Sequence, residues 1–167
     1  MSDENYSACE EAIELLVLGE AEEAIEELSN VIARDPSNEH AYFFMGQALY
    51  ETKEYERSLA AYVKALELAP HYLGAMIGAG QCLRLLGEHD KALRMGRQIL
   101  AVRKDDPDAL YLLGLVHYQR GENAASQKYL EAFLKTSPEI EIALEVEGIL
   151  QVLRGEFEPL DDEGVEA

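Results

Sequence analysis

At 167 residues the chain is long enough for one domain or one short repeat array, and its composition, 48% apolar and rich in Ala, Leu and Glu, favours helices. A formal net charge of −19 disfavours a nucleic-acid partner, whose phosphates would be repelled. No apolar run approaches the roughly 20 residues of a spanning helix, so membrane insertion is not expected.

The charge is segregated. Residues 1–30 hold ten acidic side chains and no Lys or Arg, residues 139–167 ten acids against Arg154 alone, and the thirteen acids and thirteen bases between them cancel. Like charges at both ends oppose end-to-end association of an open stack, a simpler reading than a dedicated basic partner. The opening MSDENYSACEEA is acidic and polar, without the basic start and apolar middle of a secretory signal, which predicts a cytoplasmic location. Cys9 and Cys82 are far apart with no CxxC, so neither a disulfide framework nor a zinc site is expected.

Taken in order, Ser7-Ala-Cys-Glu10 reads as a capping box opening a helix to about Leu18, with Ala8, Ala12, Leu15 and Leu18 at helical spacing. Gly19 allows a sharp turn, Glu22 to Ala33 forms a second helix, and Asp35-Pro36-Ser37-Asn38 ends it. The next hairpin repeats this with Tyr42, Met45, Leu49, Leu59, Tyr62, Ala65 and Leu66 in the core, and Gly46 lets its helices approach closely. The third copy, Leu73 to Asp106, is the loosest. Gly74, Gly78 and Gly80 share a helix and Gly96 replaces the bulky Leu28, Tyr62 and Leu130, which predicts an inner depression or greater mobility. Asp106-Pro107 and Ser137-Pro138 each place a capping side chain before a proline in a first helical turn. Glu139 to Arg154 closes the array with polar outer residues, Gly155 to Leu160 looks like an uncompleted second helix, and the remaining acidic tail is expected to be disordered.

The copies share a period of 34 residues. Ala12, Gly46, Gly80, Gly114 and Gly148 form one column; Gly19, Lys53, Gly87, Gly121 and Gly155 a second; and Ala24, Ser58, Ala92 and Ser126 a third that is always small. Stacked helical hairpins are the architecture of such a period. With these columns in register, and with LGLVHYQRG (Leu113–Gly121) and YERSLAAYVKALELAP (Tyr55–Pro70) carrying the Leu-Gly, turn Gly, Ala, aromatic, Ala and Pro pattern, residues 5–140 resemble the tetratricopeptide repeat family. The departures are the lack of Trp, Glu11 in an apolar place, and Lys104 where proline would end the third copy.

The resemblance implies an all-α fold: a right-handed superhelix of four hairpins, about 5–38, 39–72, 73–106 and 107–140, plus a capping helix at about 139–154. Residues 5–154 would make one domain and 155–167 an acidic tail. It also implies a concave groove, lined by the first helix of each hairpin, that binds a peptide and catalyses nothing. The matching positions are Cys9, Ile13 and Leu16 in the first copy, then His40, Phe43, Gln47 and Tyr50. The third copy supplies Ile77, Gln81 and Arg84, and the fourth Tyr111, Leu115 and Tyr118. Members that clamp a chaperone tail's carboxylate carry Lys and Asn where this chain has Cys9, Ile13, Phe44, Gly74 and Gly78, so that activity is not expected. Apolar anchors suit the aromatic lining, with Gln47 and Gln81 free to bond a peptide backbone; ordinary packing is the competing reading for Phe43, Tyr50, Tyr111 and Tyr118.

No Gly-x-Ser-x-Gly, His-Glu-x-x-His or P-loop occurs, and the four histidines lack metal-ligand spacing, so no enzyme, cofactor or metal is expected. His117 falls in the column of Leu15, Leu49 and Leu83 and reads as a core or edge histidine. The expected function is a non-enzymatic adaptor that holds a partner segment with apolar anchors. The alternative is a small acidic chaperone for a secreted or membrane-active client, similar to type III secretion translocator chaperones. A further expectation is that the acidic tail folds over Lys91, Arg94 and Arg97. Partner identity and oligomeric state are left open.

Overall fold

Turns at a fixed spacing set the frame. In the computed structural model, which describes residues 2–156, Gly19, Gly87, Gly121 and Gly155 take φ of +79°, +77°, +73° and +70°. Each allows the following N–H to reach back five residues to a helix carbonyl: Glu20 to Leu15, Glu88 to Leu83, Glu122 to His117 and Glu156 to Gln151, all at 2.9 Å. That bond caps the open carbonyls of a helix end, and the left-handed backbone it needs is one glycine adopts without steric cost. Lys53 makes the same turn at φ +62°, with Glu54 N–H on Leu49 O at 2.9 Å, so the turn forms there against the residue's preference.

Among the described residues there are ten helices and no strand: α1 (Ser2–Ser7), α2 (Glu10–Val17), α3 (Ala21–Arg34), α4 (Glu39–Glu51), α5 (Tyr55–Leu68), α6 (Leu73–Leu85), α7 (His89–Val102), α8 (Pro107–Gln119), α9 (Asn123–Leu134) and α10 (Ile140–Leu153). Four hairpins, α2/α3, α4/α5, α6/α7 and α8/α9, and the closing α10 follow the 34-residue columns, so the all-α hairpin architecture is as expected. The chain divides into two compact units, one up to Lys104 and one from Asp105.

Within a hairpin the small column sets the helix separation. Ala24, Ser58, Ala92 and Ser126 are all fully buried. The serines also carry a bond: Ser58 Oγ donates to Gly46 O at 2.6 Å and Ser126 Oγ to Gly114 O at 2.9 Å, tying second helix to first. A Cβ on Gly114 would lie 2.4 Å from Leu130 Cδ2, so close approach is the reason for glycine there.

Local starts differ from expectation in two places. Ser7 ends α1 instead of capping a longer helix, and α2 begins after Cys9 with no side-chain cap bond. The Cys9 thiol is drawn inward, with Sγ 3.5 Å from Asn5 O, and the Asn38 amide holds the same carbonyl at 2.9 Å, so packing at the break replaces the capping box. Likewise α10 starts after Glu139 with no side-chain cap, while Ser137 sits at φ +58° outside the helix. Asp106 behaves as expected, its Oδ1 accepting from Ala109 N at 3.1 Å with Pro107 in the first turn; Asn38 does the same for Ala41 at 3.1 Å. The tail and the uncompleted helix from Phe157 onward lie outside the described residues.

Candidate partner-binding face

In the first unit, the residues of α4 and α6 expected to line a groove are all half-buried. At the N-terminal end of α4, His40 Nδ1 lies 2.8 Å from the Tyr72 hydroxyl, and Tyr6 meets the imidazole edge-on at 5.6 Å between ring centres. Phe43 contacts Tyr72 at 4.7 Å, Phe44 at 5.1 Å and Tyr62 at 6.0 Å. Six rings therefore form one cluster, and burial pushes the Tyr62 and Tyr72 hydroxyls well above the usual phenol range, keeping both neutral.

This cluster fills the space that the glycines of α6 leave. A Cβ on Gly74 would lie 2.9 Å from Phe43 Cε2, one on Gly78 2.3 Å from Tyr62 Cζ, and one on Gly46 2.6 Å from Tyr62 Cε1. Of the four glycines from which an inner depression or greater mobility of the third copy is expected, Gly74 and Gly78 are thus covered by aromatic side chains of the preceding repeat. Cys9 is also no lining residue: it is fully buried, and its thiol is pushed up to about 11, chiefly by burial, which leaves it protonated. Phe44, at a clamp column, is buried as well.

The C-terminal ends of α4 and α6 carry the other expected residues. Gln47, Tyr50, Ile77, Gln81 and Arg84 are half-buried, and Arg84 Nε donates to Gln81 Oε1 at 3.0 Å. Tyr50 lies edge-on to Tyr55 at 5.5 Å; burial raises its pKa, and the nearby Arg84 charge opposes that rise. What these ends offer is amide, phenol and guanidinium groups beside one aliphatic side chain.

In the second unit Tyr118 is 37% exposed, Tyr111 is half-buried and Leu115 is buried at 8%. Tyr111 packs on Phe133 at 5.1 Å, and its hydroxyl donates to Glu145 Oε1 at 3.4 Å across 34 residues. Sequence reasoning missed that α10 continues the strip: Glu145, Ile149 and Val152 follow Tyr111, Leu115 and Tyr118 one period later, and Val152 is 49% exposed. The signal was available, since α10 had already been placed in register. The outer side of α10 is accordingly not polar throughout, for Ile140 and Leu144 are exposed too. Leu110, in Leu144's column, is buried because α8 has a second helix beside it.

His117 is a packed histidine, stacked on Tyr129 at 5.5 Å with Nδ1 2.7 Å from Glu122 Oε2. Among the described residues no three His, Cys, Asp or Glu side chains are disposed to hold a metal, and no helix is long and apolar enough to cross a membrane.

Known proteins resemble the chain in the same terms. The tetratricopeptide repeat pattern matches residues 9–72, 54–109 and 86–139. The CTR9 homolog of Arabidopsis thaliana is 27% identical over 118 residues, 70% of this chain but 11% of that protein, so the chain spans only a small part of its length. Among solved structures, MamA from Desulfovibrio magneticus RS-1 (residue 41 to the end) has a TM-score of 0.79 at 21% identity, covering 92% of this chain and 85% of that one. YrrB, described as a tetratricopeptide protein with an unusual peptide-binding site, has a TM-score of 0.68 at 19% identity, covering 88% and 76%. At such identities the structural likeness speaks to the fold alone. By its repeat columns, its helical hairpins and the match along most of its length, this chain belongs to the tetratricopeptide repeat family.

Proposed function

We propose that the protein is a non-enzymatic adaptor that holds a short segment of another protein through the first helices of its hairpins. The observation that carries the reading is the set of partly exposed amide, phenol and guanidinium groups in matching columns: Gln47 and Gln81, Tyr50 and Arg84 in the first unit, and Tyr118 in the second. Side chains held by helices keep their geometry before binding, which lowers the entropy cost of gripping a flexible peptide. In this reading Gln47 and Gln81 bond the backbone of the bound segment, Ile77 and Tyr50 receive its apolar side chains, Arg84 selects against a nearby positive charge, and Tyr118 is the second unit's own apolar contact. His40, Phe43, Tyr111 and Leu115 support those side chains from beneath more than they touch the partner. YrrB, a protein of the same fold with a peptide-binding site, gives the reading a precedent.

The test is a variant carrying Arg84→Glu and Tyr118→Ala, both outside the buried core. Capture of the partner by tagged protein should fall at least tenfold while helical circular dichroism and melting temperature stay near wild type. Undiminished capture would remove the first helices from the account.

A further inference from the structure

The opposite side of the first unit carries two grooves that the function above does not use. One, of about 450 Å³, runs between α3 and α5 over α4; the other, of about 320 Å³, between α5 and α7 over α6. They are the same feature one period apart: Arg57 and Lys91 occupy one column, Leu49 and Leu83 another, Met45 and Ala79 a third. Their floors are apolar, and Val63, on the second groove, is 43% exposed.

Charge is what makes the pair unusual. Acids outnumber bases 33 to 14 in this chain, yet all four charged side chains that line the grooves, Arg57, Lys64, Lys91 and Arg94, are basic. Three of them make exposed pairs within their own or the preceding turn, Arg57 with Glu54 at 2.7 Å, Lys64 with Glu67 at 3.2 Å and Lys91 with Glu88 at 3.3 Å. Such surface pairs are worth little and exchange readily for a better partner. Arg94 stands exposed on α7 at the second groove.

We infer that this second-helix face is a separate docking surface for an acidic segment of another protein that places one apolar side chain in each groove. The helices that floor the two grooves, α4 and α6, pack on one another, and packed helices stand about 8–10 Å apart. A helical ligand with apolar residues seven positions apart, a rise of about 10.5 Å, therefore suits two grooves one repeat apart. The segment must be acidic at its flanks to meet the basic rims. The protein's acidic ends repel acidic chains, so a local positive rim in the neutral middle gives selectivity as well as attraction.

The probe is a 16-residue, fluorescein-labelled helical peptide of Glu and Ala with two leucines seven positions apart, alongside a twin in which Lys replaces every Glu. Added to the full chain, the acidic peptide should bind with shifts confined to the Leu49, Val63 and Leu83 methyl resonances. Arg94→Glu and, independently, Val63→Asp should each weaken it at least tenfold, and both positions are exposed enough to leave the fold intact. The Arg84→Glu, Tyr118→Ala variant should bind it as wild type does, so failure here and failure of the first-helix reading are separable. Equal binding of the lysine twin, binding indifferent to both substitutions, or no binding at all would overturn the inference. So would self-association of the unliganded protein that Arg94→Glu abolishes, since the occupant would then be a second copy.

Discussion

Gly46, Gly78, Gly114 and Gly148 lie in helices, where glycine costs about 0.5–1 kcal/mol relative to alanine. At the first three the reason for accepting that cost is a neighbour: the Tyr62 ring between Gly46 and Gly78, and Leu130 over Gly114. At Gly148 a Cβ would meet nothing within 4 Å among the described residues. Opposite signs therefore follow for the same substitution. Gly78→Ala should destabilise by about 1–3 kcal/mol, because a buried ring must move. Gly148→Ala should stabilise by about 0.5–1 kcal/mol, as propensity alone predicts. Chemical denaturation of both variants checks this, and a stabilised Gly78→Ala would contradict the packing described for Tyr62.

At the scale of elements, α10 is joined to α9 through Arg154, whose Nη2 donates to Glu131 Oε1 at 2.9 Å, and Gln127 donates to the same oxygen at 2.8 Å. These bonds, the Arg154 one first, hold the Glu131 carboxyl below its ordinary value of 4.5. A carboxyl depressed in the folded state contributes stability that is fully present above pH 4.5 and is lost as pH falls through the lowered folded value. Glu131→Gln should therefore lower stability modestly at pH 7, with the difference from wild type vanishing in strong acid. Melting curves across that range read it directly, and a difference independent of pH would show that the carboxylate's charge is not what matters. The hairpins themselves were legible in the sequence, because turn glycines, capping Asx residues and the small column act within one repeat. The break between α1 and α2, the filling of Gly74 by Phe43, and the exposed apolar residues of α10 were not. Each depends on a side chain about one repeat away, or on the lack of a neighbouring helix, and a pattern read within a single repeat carries neither.

At the scale of the whole molecule, two acidic ends flank a neutral middle, and each compact unit carries its own partly exposed side chains on its first helices. His40 and Phe43 are tied into the ring cluster of the first unit, and in the proposed reading the residues beyond them on α4 and α6 meet another chain. Placing a photo-crosslinking phenylalanine derivative singly at Gln47, Gln81 or Tyr118, with Glu22 and Lys128 on second helices as controls, asks this in the protein's own cells. The account predicts that the three first-helix positions capture one and the same polypeptide and that the two controls do not. Capture at the controls alone, or none at any first-helix position, would contradict it.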